Sequence, residues 1–386
     1  MKKYVFSALA VAIPVIMLAI YYIQWNINVK AYDKISLETI SGNKDEMKHI
    51  EVNGTLTAEN SLYFMEVSRK GTSVKAQSFY ETLFDGHKPY ERDEERERKK
   101  LYRSFMRGKG SDLLVETKDQ LIYVNPFRKS QYTKIRLSVL DKNNKQEKEV
   151  AVELPKELQD KKALSVSAFD LQSSEAQFLL TATDSQKREI VMLTADLKEG
   201  TVMKTKSLLN VPKKKGDRTI EIEPIYRSLK DRQGEKSRQS AYFSITESVR
   251  TPVEDGGESV KYMSKTVYKA ANGFNAVEKV YEQSGNDAEA DIFQSDEWLL
   301  IHQYDKDEIK VFNTETKEAT LFSSSKFIGP YPFILNGKLY EVNNSMNQKS
   351  IHIRVTDIQS KKVTYEGEIN PPHHAAVSLN EIMVNQ

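Results

Sequence analysis

Three stretches of this chain share one pattern, V-x-[D/N]-x-x-x-K: "VLDKNNK" from Val139, "VFNTETK" from Val311 and "VTDIQSK" from Val355. The pattern describes a hairpin. Asp or Asn ends a strand by bonding its own backbone, the polar turn stays in water, and the return strand pairs with the first. Val267 opens a looser version, "VYKAANGF", with Asn272–Gly273 as the turn signal. Openings at Val267, Val311 and Val355 are 44 residues apart, and Val139 lies 172 residues before Val311, close to four such units. "MLTADLKEGTVM" (Met192 to Met203) and "EVSRKGTSVKA" (Glu66 to Ala76) supply two further hairpins. A period of ~40–50 residues with several strands per unit is what propeller blades require.

The segments between these turns fit the same reading. "SLYFMEV", "QFLLTATD", "REIVMLTA", "AYFSITES", "EWLLIHQY" and "KSIHIRVTD" are short, rich in β-branched and aromatic residues, and bounded by turn residues, which makes them strands. The repeat, spanning roughly Glu51 to Ile369, resembles the irregular blades of bacterial propeller modules, and with the N-terminal segment below the chain resembles membrane-anchored extracytoplasmic β-propeller-like bacterial proteins. It lacks the Trp-Asp ending of WD blades, and its only paired glycines, Gly256 and Gly257, do not recur as kelch blades need. The expected fold is mainly all-β: an irregular β-propeller of about six blades, with an N-terminal transmembrane helix and one inserted helix. β-sandwich-type domains are the alternative.

From Tyr4 to Ile23, "YVFSALAVAIPVIMLAIYYI", twenty residues carry no charge. That is about the length needed to cross a ~30 Å hydrocarbon core as a helix. A cleaved signal peptide has an apolar region of only ~7–15 residues before a small-residue site. Here the uncharged run continues to Val29, and Tyr21, Tyr22 and Trp25 suit a membrane interface. Pro14 is compatible with a membrane helix. The reading is a retained anchor that meets the lipid bilayer through Tyr4 to Ile23. Lys2, Lys3 and the free amino terminus outweigh Lys30 and Lys34, offset by Asp33, placing the tail in the cytoplasm and the remainder outside. The expected organisation is a tail and anchor over 1–30, a membrane-proximal linker over 31–49, and an extracytoplasmic β-repeat domain over 50–386.

Charge and cysteine usage narrow the classes of partner. The chain holds 57 Lys and Arg against 55 Asp and Glu, so nothing draws the body as a whole toward nucleic acid or anionic lipid. The basic run "VPKKKGDR" (Val211 to Arg218) reads as a solvated loop. With no cysteine, disulfides, thiol catalysis and a lipidated cysteine anchor are excluded.

One segment breaks the strand pattern. "PYERDEERERKKLYRSFMRGKG", Pro89 to Gly110, is dense in helix formers, with Glu94–Arg98 and Glu95–Lys99 at i,i+4 spacing. A helical insertion is expected near 89–110, with Leu101, Tyr102, Phe105 and Met106 along one side. Those four residues either pack the helix on its own sheet or form a contact for a partner protein. Gly108-Lys109-Gly110 reads as the end of this helix.

Chemistry leaves little trace. There is no P-loop, H-E-x-x-H or G-x-S-x-G. Ser41–Lys44 and Ser323–Lys326 match S-x-x-K without a following K-T-G. His373–His374 are adjacent and point to opposite faces of an extended chain. The acidic runs from Asp287 and Asp305 lack the glycine and glutamate of a calcium loop. No catalytic residue, metal ligand or cofactor is therefore assigned. The expected function is a single-pass, membrane-anchored binding or sensing module whose partner is a protein or an envelope polymer. The alternatives are an envelope-polymer hydrolase, its carboxylates brought together by the fold, and an accessory subunit of a transporter or signalling complex.

Overall fold

The computed structural model describes residues 35–58, 61–76, 98–109, 114–128, 132–172, 174–225, 230–231, 241–253, 256–271, 274–295, 297–303, 306–324, 332–343, 350–371 and 375–384, with residues 12, 13, 15–17, 19, 20, 23 and 32 nearer the N-terminus. The chain is mainly β, built as small antiparallel sheets that follow one another in sequence. It divides into two compact units, Tyr90–Phe322 and Met1–Pro89 with Ser323–Gln386.

In the unit Tyr90–Phe322, four sheets succeed one another. Sheet II holds Leu114–Glu116, Gln120–Arg128, Tyr132–Asp141 and Glu147–Glu153; sheet III holds Ala163–Gln172, Glu175–Thr183, Lys187–Asp196 and Thr201–Pro212. Sheet IV holds Arg218–Pro224, Ala241–Pro252, Glu258–Ala271 and Ala276–Ser284, with Lys214–Lys215 at its edge; sheet V holds Ala290–Ser295, Trp298–Gln303, Glu308–Asn313 and Ala319–Ser323. The run "VPKKKGDR" is thus not a free loop, because Lys215 pairs with Arg218 across a tight turn at Gly216, whose φ is +65°.

Each neighbouring pair of these sheets shares an apolar layer, and strand alternation explains how one strand serves two layers. Phe178, Leu180, Val191 and Leu193 face sheet II, meeting Val124, Ile135, Leu137 and Val152. The intervening Leu179, Ile190 and Met192 face sheet IV, meeting Ile220, Ile222, Phe243 and Ile245. Tyr242 and Val267 then turn toward Ile292, Leu299, Ile301 and Phe312 of sheet V. Inner strands covered on both faces read as nearly continuous apolar runs, as in "EIVMLTA". Each large side chain buried this way stabilises the unit by roughly 1.5–3 kcal/mol.

The other unit holds two sheets whose composition crosses the chain from end to end. Sheet I is Ile50–Ala58, Ser61–Ser68 and Gly71–Ala76, and Ile50–Ala58 also pairs with Ala375–Val384. Sheet VI is Phe333–Leu335, Lys338–Asn343, Ile351–Asp357 and Val363–Ile369, and its last strand pairs with Leu37–Gly42. An early strand completes the late sheet and the final strand joins the early one. The segment 31–49, expected as a linker, therefore carries a strand of the body, followed by a 3-10 turn, Lys44–Met47. Ile35 and Met47 are buried with it. The pairing was hidden because its partner lies more than three hundred residues away.

The repeated turns have one geometry. Asp141, Asp196, Asn313 and Asp357 each end the third strand of a sheet. Their Oδ1 atoms accept from backbone N–H groups just ahead: Asn143 at 2.8 Å, Lys198 at 2.7 Å, Glu315 at 2.8 Å and Ser360 at 2.7 Å. The residue four positions on is left-handed in every case: Lys145 (φ 58°), Gly200 (66°), Lys317 (64°) and Lys361 (57°). The lysine of the sequence pattern is thus the turn's left-handed residue, and glycine replaces it after Asp196.

Two parts of the repeat arithmetic change. Strand Glu258–Ala271 continues past Lys269, the position matching Asn313 relative to its valine, so Val267 is not equivalent to Val311. Asn272–Gly273 lie outside the described residues. Val139 and Val311 are separated by three sheet steps, not four, because sheet IV has long strands.

Candidate functional site

Of the four residues expected on the inserted helix, the structure buries two. The described helical turns are residues 98–101 and Arg103–Met106, interrupted at Tyr102 with φ −128° and ψ 46°. Glu94 and Glu95, whose pairing suggested the helix, lie outside the described residues. Phe105 and Met106 are buried against Leu121 and Leu140 of sheet II, with Tyr102 packed partly over them. Leu101 is 64% exposed. Lys109 fastens the end of the segment, its Nζ 3.9 Å from the Phe105 ring centroid, donating to the Phe105 carbonyl at 2.7 Å and paired with Glu147 at 3.1 Å. Gly108, with φ 72°, ends the helix as its sequence suggested.

The other motifs find simple places. Ser41 lies in a strand, its Oγ donating to Glu366 at 3.4 Å, and the left-handed Gly42 separates it from Lys44. Lys326, Asp305, His373 and His374 lie outside the described residues. Asp287 accepts from Lys306 at 2.5 Å. Among the described residues no group of three or more His, Asp or Glu side chains is placed to hold a metal ion.

The concentrated polar chemistry sits on one face of sheet VI, assembled by register. Glu341 is directly opposite Arg354, Arg354 opposite Glu366, and Glu366 opposite Ser41. A second row runs Asn343, His352, Glu368 and Glu38. Since paired residues point to the same face, eight polar side chains from four strands share it. The opposite face is apolar, with Val342, Ile351, Ile353 and Val355 all buried.

Burial is graded across this face. Glu341 is only 4% exposed, while Arg354 and Glu366 are half-buried. Burial pushes the Glu341 carboxyl up to about 7, against the opposing pull of the Arg354 charge and a hydrogen bond from Ser324. Arg354 is shared, its Nε donating to Glu366 at 3.3 Å. Glu368 is held below the ordinary carboxylate range, first by a hydrogen bond from Ser350 and also by Asn370 and the facing His352, whose Nε2 is 3.2 Å away. The face therefore carries carboxyls of opposite tendency, Glu341 raised toward neutrality and Glu368 lowered, which is how acid and base roles separate.

A second polar cluster lies between sheets IV and V. Lys265 donates to the Ala290 carbonyl at 2.5 Å, and burial lowers its amine against the pull of Asp291, Glu223 and Glu289. His302, opposite Asp291, is likewise lowered by burial, with Asp291 and Asp307 pulling back. Nearby, Lys310 donates to the Tyr281 hydroxyl and Tyr281 to Gln283, both at 3.1 Å. Lys265 on sheet IV thus reaches the backbone of sheet V, and Lys310 on sheet V reaches Tyr281 on sheet IV, so this cluster reads as a tie between the two sheets.

Sequence reasoning missed the face of sheet VI. Its signal was the alternation in "KLYEVN", "IHIRVTD" and "VTYEGEI", where every second residue is mostly polar, but which strands pair is not written locally.

No protein-family model and no curated protein matches the chain. Among solved structures it is similar to TolB from Acinetobacter baumannii at 10% identity and a TM-score of 0.34, covering 87% of this chain and 66% of that one. The chain thus spans just under two thirds of that TolB's length. It is similar to a 6-phosphogluconolactonase-like protein from Bacteroides fragilis at 9% identity and a TM-score of 0.32, covering 88% and 100%. It is also similar to a chain of a nidogen/laminin complex at 9% identity and a TM-score of 0.31, covering 87% and 98%.

Proposed function

We propose that this protein is a membrane-anchored, extracytoplasmic binding module built as an irregular six-bladed propeller. The observation that carries the reading lies at the N-terminus. Ile13, Val15, Ile16, Met17, Ile20 and Ile23 have helical backbone and are 52–66% exposed. Large apolar side chains left open in a row are stable in lipid and costly in water. Among the described residues no helix is long and apolar enough to cross a membrane, and most of Tyr4–Ile23 lies outside them. The propeller reading draws support from the exchange of end strands, Leu37–Gly42 pairing in sheet VI and Ala375–Val384 in sheet I.

Binding is favoured over catalysis by the polar face of sheet VI, where donors and acceptors stand in rows without an activated nucleophile. The second reading, an envelope-polymer hydrolase, has Glu341 in its favour, since a carboxyl near 7 suits a general acid.

The test uses the full chain in membranes. Alkaline extraction should leave it in the membrane fraction, and protease added outside should remove the body and leave a short N-terminal fragment. Recovery of a soluble body beginning near Tyr32 would sink the anchor. The purified full chain, offered envelope-polymer fragments, should retain them unchanged. Turnover that disappears in Glu341→Gln would replace binding with hydrolysis.

A further inference from the structure

We propose that one end of the unit formed by sheets I and VI lies against anionic phospholipid headgroups; this rests on the anchor reading. The chain enters the body along the hairpin Ser61–Ala76, whose Arg69–Lys70 turn belongs to that end. Tyr32 packs against Tyr63 with ring centroids 4.9 Å apart and planes tilted by 56°, its carbonyl accepts from Ile35 N–H at 3.1 Å, and the Ile35 carbonyl accepts from the Thr72 hydroxyl. Only eight residues lie between Ile23 and Tyr32, a reach of at most ~30 Å even when extended. A body fixed to its own lead-in so soon after an anchor keeps this hairpin within a short reach of the bilayer.

Three hairpin ends meet there. The Arg69–Lys70 turn is joined to the 3-10 turn Lys44–Met47 by Arg69 and Asp45 at 2.5 Å. Lys338 reaches the same turn through Glu46 at 2.5 Å, and Asn43 N–H donates to the Thr364 carbonyl at 2.9 Å, beside the turn that carries Lys361 and Lys362. Lys44, Lys48, Arg69, Lys70, Lys361 and Lys362 are all exposed. The neighbouring carboxylates are committed: Asp45 to Arg69, Glu46 to Lys338, and Asp357 to the backbone and hydroxyl of Ser360. The two ion pairs cancel and Asp357 keeps its negative charge, so the positive excess rests on Lys44, Lys48, Lys70, Lys361 and Lys362, on a chain nearly neutral overall. Such charge attracts an anionic leaflet within about a Debye length, ~10 Å at 0.1 M salt.

The absence of native cysteine permits a clean probe. Gln359→Cys, in the exposed turn between Asp357 and Lys361, is labelled with a fluorophore, and the full chain is reconstituted into vesicles of phosphatidylcholine alone or with phosphatidylglycerol. Quenching by acrylamide should fall roughly twofold or more in the anionic vesicles, and the protection should vanish at ~1 M salt. Lys44→Glu, Lys48→Glu, Lys361→Glu and Lys362→Glu together should abolish the protection at low salt. The salt arm needs no variant, so misfolding of the quadruple mutant cannot mask the result. Equal quenching in both vesicles, with the protein floating alongside them, overturns this proposal alone. Failure to float with either vesicle removes the anchor reading beneath it.

Discussion

The carbonyl oxygen of Ala151 lies 2.5 Å from the point where a Cβ on Gly200 would stand. Gly200 holds the left-handed position that Lys145, Lys317 and Lys361 hold in the matching turns. Its own carbonyl accepts from Glu153 N–H at 3.3 Å, so this turn of sheet III is pressed on the last strand of sheet II. A side chain would have to displace backbone. Gly200→Ala should destabilise the protein by about 2–4 kcal/mol, combining left-handed strain of ~1–2 with overpacking. Lys317→Gly should be neutral or stabilise by up to ~1 kcal/mol, since relief of strain exceeds the added unfolded-state freedom. Urea unfolding followed by tryptophan fluorescence checks both, and similar losses for the two variants would contradict the steric account.

The inserted segment gives a second contrast. Phe105 is fully buried and Leu101 is 64% exposed. Phe105→Ala should cost about 3–5 kcal/mol, whereas Leu101→Glu should change stability by under ~0.5 kcal/mol. Thermal midpoints of the two variants would separate the roles. If a partner binds this segment, Leu101→Glu should weaken that complex without unfolding the body. Two residues expected as possible contacts, Phe105 and Met106, would reach a partner only by leaving the core.

Local chemistry was legible in the sequence and long-range pairing was not. The turn pattern around Asn313 and Asp357 could be read because donor, acceptor and left-handed residue all fall within five positions. Strand alternation was equally readable where both faces are apolar, as in Lys187–Asp196. Leu37–Gly42 carried no such signal. Its six residues are mixed in polarity, and its identity as a strand comes from hydrogen bonding to Val363–Ile369. The site on sheet VI was hidden for the same reason, since Glu341, Arg354 and Glu366 are ordinary surface letters until register places them side by side.

The exchange of end strands makes the C-terminus structural. Removing residues 375–384 takes away the partner of Ile50–Ala58 and opens an apolar edge containing Val52 and Leu56, both fully buried. An exposed strand edge of this kind favours aggregation. The truncated chain should lose cooperative unfolding and sediment as aggregates on size-exclusion analysis. A monomeric, cooperatively folded truncation would show that this pairing contributes little.

Glu341 makes stability depend on pH with a definite sign. Its folded carboxyl is raised by burial to about 7 from an ordinary 4.5, so the folded state holds a proton that the unfolded state releases. Below pH 4.5 both states are protonated and the group has no effect. As pH rises from there to about 7, the unfolded chain ionises freely while the folded one resists, and stability falls by of order 3 kcal/mol before levelling off. Glu341→Gln should remove this decline and leave the variant more stable than the parent at pH 8. Arg354→Ala should steepen it, because the charge opposing burial is gone. Unfolding measured at intervals between pH 4.5 and 8 decides the matter: parallel curves for the parent and Glu341→Gln would mean that the carboxyl is ionised and solvated in the fold.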